Sequence, residues 1–165
     1  MSQDQRPNNV VNLQEAEITP RKLHNIYAYG MDPLGQKMAS EKLGFHVGVL
    51  EPKSFLCPYH SHDSEEELLL ILEGEATIRQ NDETFIVRKD DLIFYKLNVT
   101  HQIYNHTDQP CRVLTVANKD PNDVCVYPDS GKINFRRHGK IFQEGKEVDY
   151  FTDEKEPSSF WQDQE

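Results

Sequence analysis

From Gly44 onward, hydrophobic and polar positions alternate in short runs bounded by turn residues, the period-two signature of strands rather than the 3.6-residue repeat of helices. FHVGVL, FLCPYHSH, ELLLILEGEATIRQ, TFIVRK, DLIFYKL, HQIYN and CRVLTVAN each read as strand. The punctuation between them is chemically explicit. Asn81-Asp82 separates TIRQ from TFIV as a hairpin turn, Gly74 kinks the long apolar run, and HTDQP at 106–110 has the polar-plus-proline character of a surface turn. NIYAYG is a candidate first strand, and ITP at 18–20 predicts a break before it. A chain that reads strand after strand, without internal repeat or low-complexity segment, predicts an all-β domain.

Strand parity brings particular side chains together. His60 and His62 are two apart, so on a strand both imidazoles face one side and reach one point. The polar insert DSEE then leads to Glu67, which opens the following strand, and His101 and Asn105 share a parity in HQIYN. Three imidazoles and a carboxylate converging on one point are nitrogen and oxygen ligands for a divalent transition metal, one of Fe, Mn, Ni, Co, Cu or Zn. Chance is a poor account of the spacing. The 7 histidines in 165 residues give roughly 0.3 His-x-His pairs, and requiring the Glu and then the Gly lowers this to on the order of 0.001.

These residues carry a resemblance to the cupins, whose motifs read G-x5-H-x-H-x(3,4)-E-x6-G and G-x5-P-x-G-x2-H-x3-N. The first runs here from Ser54 to Gly74, with His60, His62, Glu67 and Gly74 in register; the second runs from Asp90 to Asn105, with His101 and Asn105 in register. Departures fall on structural positions. Ser54 stands for the leading Gly of the first motif, and Asp90, Lys96 and Asn98 stand for the Gly, Pro and Gly of the second, while every liganding position is kept. Glu66 fits the shorter spacing too, and the six-residue gap to Gly74 favours Glu67.

The likeness extends from about Lys42 to about Lys132, through LGFHVGVLEPKSFLCPYHSH and VYPDSGK, to a bacterial subgroup of single-domain cupins, some described loosely as sugar-isomerase-like. It implies a single jelly-roll (double-stranded β-helix) barrel with the metal inside and short extended or helical terminal segments. The expected organisation is a polar N-terminal segment over 1–22, the cupin barrel over 23–132 and an acidic C-terminal extension over 133–165, in which Phe160 and Trp161 are embedded.

Composition narrows the partners. A chain of 165 residues is one domain's worth, and 28 acidic against 18 basic residues, a net charge of −10, repels nucleic acid and anionic membrane surfaces. No apolar run approaches the roughly 20 residues a bilayer requires. The polar start MSQDQRPNNVVN has no hydrophobic signal segment, so a cytoplasmic location is expected. Cys57, Cys111 and Cys125 are odd in number and lack CxxC spacing, as expected of unpaired thiols in a reducing compartment.

Two functions from different classes follow. In one, the metal is catalytic: four protein ligands leave room for a substrate oxygen or O₂, and isomerase, lyase or dioxygenase chemistry acts on a small polar substrate, with Tyr95 or His46 moving the proton. In the other, the barrel is a non-catalytic module that binds or senses a sugar or carboxylate. Lys96, with Arg79 as a second cation, is a candidate for an anionic substrate group, against the plainer role of a solvated edge lysine. Tyr59 and Tyr104 are candidate hydrogen-bond donors or ordinary core residues. Cys57 has the wrong parity for a ligand, and DSEEE reads as a solvated turn. Open sheet edges and terminal segments predict a homodimer.

Overall fold

The computed structural model describes residues 6–24, 26–154 and 161; Phe160 lies outside them. The first strands, β1 (Thr19–His24), β2 (Tyr27–Asp32) and β3 (Leu43–Leu50), run antiparallel, with one helical turn, α1 (Leu34–Lys37), between β2 and β3. The expected break at ITP is instead β1 itself, with Pro20 paired to Gly30. Proline is tolerated because β1 is an edge strand, where an amide can be spared.

The expected strand FLCPYHSH divides into β4 (Ser54–Phe55) and β5 (Ser61–His62), with Pro58, which cannot donate to a ladder, between them. There follow β6 (Glu67–Glu73), β7 (Glu75–Gln80), β8 (Glu83–Arg88), β9 (Leu92–Tyr95), β10 (His101–Asn105) and β11 (Cys111–Asn118). Asn81 and Asp82, at φ 47° and 66°, turn β7 into β8, with both central residues at positive φ as a type I′ hairpin requires. Asp90 and Asn98, which stand where the second motif has glycine, hold φ of 73° and 62°. Aspartate and asparagine are the side chains that best tolerate this left-handed region, so the backbone shape survives the substitution.

Two sheets face each other. One has the order β1-β2-β3-β11-β6-β9 and the other β4-β10-β7-β8. Their inner faces meet in a core of Leu50, Leu69, Ile71, Ile93, Cys111 and Val113 from the first and Ala76, Ile78, Val87 and Ile103 from the second. Each large apolar side chain buried this way contributes about 1.5–3 kcal/mol.

The last strands are β12 (Val124–Tyr127), β13 (Lys132–Phe135), β14 (Lys140–Gln143) and β15 (Lys146–Glu147), which with β5 make a third sheet ordered β15-β14-β13-β12-β5. Thus the segment after 132, expected as an extension, continues the sheet that holds His62. The Lys132 ammonium is fully buried and donates to Tyr150 O (2.5 Å), Thr152 O (2.9 Å) and the Glu154 carboxylate (2.6 Å). Trp161 returns to the barrel, its Nε1 donating to Gln102 Oε1 (2.8 Å) and its ring resting on Phe55 and Tyr104. Among the described residues no helix is long and apolar enough to cross a membrane.

Gly74 sits at φ 81°, and a Cβ there would lie 2.9 Å from Pro110 O and 3.2 Å from Cys111 Cα. Gly74→Ala is therefore expected to cost about 2–3 kcal/mol, lowering Tm by about 4–10 °C. Gly139, at φ 58° with no atom within 4 Å of such a Cβ, is the control. Calorimetry on Gly74→Ala and Gly139→Ala checks this; equal small shifts would remove the steric argument.

Candidate metal centre

The short strand β5 is placed by two neighbours. His60 bridges His101 on β10, with mutual backbone hydrogen bonds of 3.1 and 2.8 Å, and His62 pairs with Cys125 on β12. Glu67 opens β6 directly opposite Tyr95 on β9 and Ala117 on β11. The sheets therefore deliver His60, His62, Glu67 and His101 to one place, all four largely buried.

Each imidazole is held through the nitrogen that faces away from this place. His60 Nδ1 lies 2.9 Å from Pro58 O, His101 Nδ1 3.0 Å from Val99 O, and His62 Nδ1 2.7 Å from the Asp123 carboxylate. Carbonyls and carboxylates only accept, so each Nδ1 carries the proton and donates it. In the neutral ring, Nε2 is then a bare lone pair. The Nε2 atoms of His60 and His62 stand 3.0 Å apart, and the Glu67 carboxylate is 3.8 Å from His62 Nε2 and 3.7 Å from His101 Nε2. His101 Nε2 is buried with no hydrogen-bond partner among the described residues.

Lone pairs facing one another and a carboxylate repel unless a cation lies between them. Ligands about 2.1 Å from one ion sit about 3.0 Å apart at a right angle and about 3.6 Å apart at 120°. The observed spacings match, and the donor set of imidazoles with one carboxylate suits a divalent transition ion. Burial, with repulsion from His101 and His62, pushes the His60 imidazole down to about 3, so it is neutral at physiological pH. Burial alone would raise the Glu67 carboxyl, but the nearness of His101, then of His60 and His62, outweighs it and brings it down to about 2. Neutral imidazoles and an ionised carboxylate are the forms that bind metal.

Glu66 is exposed and its amide donates to Asn118 Oδ1, away from the site. Cys57 Sγ lies 3.6 Å from His60 Nδ1, on the far side of the ring from Nε2. His62 also faces a second group through its Nδ1, with Asp123 and Cys125. Burial holds the Cys125 thiol up to about 12, and its Sγ lies 3.4 Å from Asp123 Oδ2 and 3.5 Å from His62 Nδ1.

Tyr95 lies against the site, its ring stacked on His101 with centroids 3.8 Å apart, and its hydroxyl is buried without a partner among the described residues. His46, half-buried on β3, pairs with Thr115, which pairs with Leu69, two residues beyond Glu67. It shares the inner face with Glu67, and burial lowers its pKa against the opposing pull of that carboxylate. Other candidates lie elsewhere. Arg79 is engaged by Asp129 and Asp82, each at 2.6 Å, and its guanidinium covers the Tyr59 ring. Tyr104 stacks on Phe55 in the aromatic cluster with Trp161, and Lys96 is exposed. The turn DSEEE is not wholly solvated: Glu65 is buried, accepting from Asp120 N (2.9 Å) and paired with Arg136 (3.2 Å).

Sequence reading missed Asp123 and Thr115. No spacing rule links Asp123 to His62, 61 residues away. The alternation of CRVLTVAN did carry a signal for Thr115, since it assigns this hydroxyl to the face of Val113 and Cys111.

Residues 46–117 match the sequence family described as Cupin domain. An uncharacterized protein of Methanocaldococcus jannaschii is 32% identical over 69 residues, 42% of this chain, which thus spans about half (48%) of that curated relative. A putative sugar phosphate isomerase of Acidithiobacillus ferrooxidans shares the fold with a TM-score of 0.72 at 22% identity, over 85% of this chain and 91% of that one. A sugar phosphate isomerase from a cupin superfamily, of Silicibacter pomeroyi, gives 0.69 at 17% identity, over 84% and 90%. A predicted oxalate decarboxylase of Thermotoga maritima gives 0.56 at 26% identity, over 66% and 97%.

Glu67→Gln is expected to weaken metal binding at least tenfold by removing the one anionic ligand, whereas Glu66→Gln stays near the parent. Titration of metal-stripped protein with Zn(II) or Mn(II) measures both; loss in Glu66→Gln alone would move the ligand by one residue. Asp123→Asn, which no longer holds His62 as a charged acceptor, is expected to lose about 10–100-fold in the same titration.

Proposed function

We propose that this chain, whose residues 46–117 match the Cupin domain family and which gathers His60, Glu67 and His101 with His62 beside them, is a metalloenzyme acting on a small polar substrate. The reaction that best suits its residues is interconversion of an aldose and a ketose, free or phosphorylated. One observation carries the reading: three imidazoles whose Nδ1 atoms are each tied to an acceptor turn their Nε2 atoms toward one another and Glu67. Two structural neighbours bear sugar phosphate isomerase names, which adds support to the reaction class.

His60, His62, Glu67 and His101 hold the ion, one divalent transition metal per chain. Once bound, it supplies Lewis acidity toward a substrate oxygen. The isomerisation moves a proton between adjacent carbons and needs a base and a hydroxyl donor beside the oxygens. Neutral His46 is suited to accept the proton, and the Tyr95 hydroxyl to donate a hydrogen bond to the substrate oxygen. The surrounding walls of Leu69, Ile93 and Val113 keep bulk water out. The three cysteines carry no disulfide, which favours a reducing cell interior. Leu92 and Phe94, 60% and 51% exposed on edge strand β9, favour a homodimer that covers them.

Metal-stripped protein reloaded with Fe(II), Mn(II), Ni(II), Co(II) or Zn(II) and assayed on aldose and ketose pairs is expected to turn over only when loaded. His46→Gln is expected to lose at least about 100-fold in kcat with its metal content intact. Protein that binds these sugars but turns over none of them with any of the ions is a binding module instead.

A further inference from the structure

The interior beyond the metal ligands is not uniformly apolar. On the inner face of the first sheet, side chains run in rows across the strands: Glu67 with Ala117 and Gly44, then Leu69 with Thr115 and His46, then Ile71 with Val113 and Gly48. Tyr95 stands opposite Glu67 in the first row. The third row is core, and the first two carry, besides Glu67, three polar groups that face inward.

Two of these groups are unusual. The Thr115 and Tyr95 hydroxyls belong to residues only 6% and 2% exposed, and neither has a hydrogen-bond partner among the described residues. A buried unpaired hydroxyl is destabilising and rare in folded proteins, and two on one inner face beside a metal centre mark a place kept for a ligand. Small residues flank them, Ala117 and Gly44 in the first row and Gly48 in the third, and a Cβ added at Gly44 or Gly48 would come no nearer than 3.8 or 3.5 Å to any neighbour.

We propose that Thr115, Tyr95 and His46 form a subsite for the hydroxyl and carbonyl oxygens of an uncharged polyhydroxylated carbon chain, and that any phosphate on such a substrate lies outside it. This rests on the metal-centred reading above and adds the part of the substrate that the metal does not touch. The donor and acceptor inventory fits: each hydroxyl gives and takes a hydrogen bond, and a neutral imidazole offers one of each. The charges fit as well. The buried cations among the described residues, Arg79 and Lys132, are held by Asp129 with Asp82 and by Glu154. Arg136 is paired with Glu65 and Asp123, on the Nδ1 side of His62. A phosphate among Thr115, Tyr95 and His46 would find none of these three cations free to pair with it, and the metal ion would already share its charge with Glu67.

The test uses Thr115→Val and Tyr95→Phe, which remove the hydroxyls and little volume, with xylulose, oxalate and inorganic phosphate as probes. Calorimetric titration of metal-loaded protein is expected to show xylulose binding that falls about 5–10-fold in each variant. Oxalate, which needs the ion alone, is expected to stay within about twofold, and metal content to stay at the parent level. Thermal unfolding adds a signature that a structural hydroxyl cannot give: without sugar, Thr115→Val is expected to hold or gain about 2–4 °C, because an unpaired buried hydroxyl has gone. Unchanged xylulose affinity in both variants, a lowered Tm in Thr115→Val, or phosphate binding that beats xylulose and falls in the same variants overturns the proposal. Xylulose binding that persists in metal-stripped protein and still falls in Thr115→Val supports the subsite while sinking the metal-centred function.

Discussion

Three hydrogen bonds on the outer side of the imidazoles set the shape of the candidate metal site. A histidine ring is free to turn about its last torsion until its second nitrogen is fixed. Here Pro58 O, Val99 O and the Asp123 carboxylate fix all three, choose the tautomer and aim the Nε2 lone pairs at one point. The acceptors come from the link between β4 and β5, the loop before β10 and the approach to β12. Asp123 is in turn held by the Ser64 amide (3.0 Å) and by Arg136. The candidate metal site therefore depends on segments that contribute none of its four proposed ligands.

That dependence gives the third sheet its purpose. Paired to β5 through β12, it holds the His62 strand and brings Asp123 behind it. The buried Lys132 and its acceptors at Tyr150, Thr152 and Glu154 then tie the following chain to this sheet. A charge buried so completely is tolerable only because several acceptors surround it, and removing one would leave the others uncompensated. Trp161 in turn rests on the second sheet, against Gln102, Phe55 and Tyr104.

The barrel interior changes character along its length. At one end Leu50, Ile71, Val113 and Ile103 make a close-packed core; at the other, imidazoles, a carboxylate and two hydroxyls without a partner among the described residues share the space. A domain holds such an arrangement when the apolar end and the tight turns supply the stability that the polar end gives up. The turns at Gly74, Asp90 and Asn98 are part of this support, since each holds a left-handed backbone at a fixed point of the ladder.

Most strands from β3 to β11 and the turn at Asn81-Asp82 were legible in the sequence, and the motif spacing named four residues, His60, His62, Glu67 and His101, that the sheets bring close together. Strand alternation and the short spacing of His60, His62 and Glu67 are local rules, valid wherever a strand forms. The six-residue gap to Gly74 set Glu67 apart from Glu66, which the structure leaves exposed. What the sequence could not show is which distant groups complete the site. Asp123 behind His62, Glu65 drawn out of an apparently solvated turn by Arg136, and Arg79 withdrawn from any substrate by Asp129 and Asp82 are all long-range choices. So are the third sheet and the edge strand through Pro20. Parity tells which way a side chain faces and says nothing of what it meets there. Only the closing of the sheets on one another decides that, because it brings together residues whose separation along the chain obeys no period.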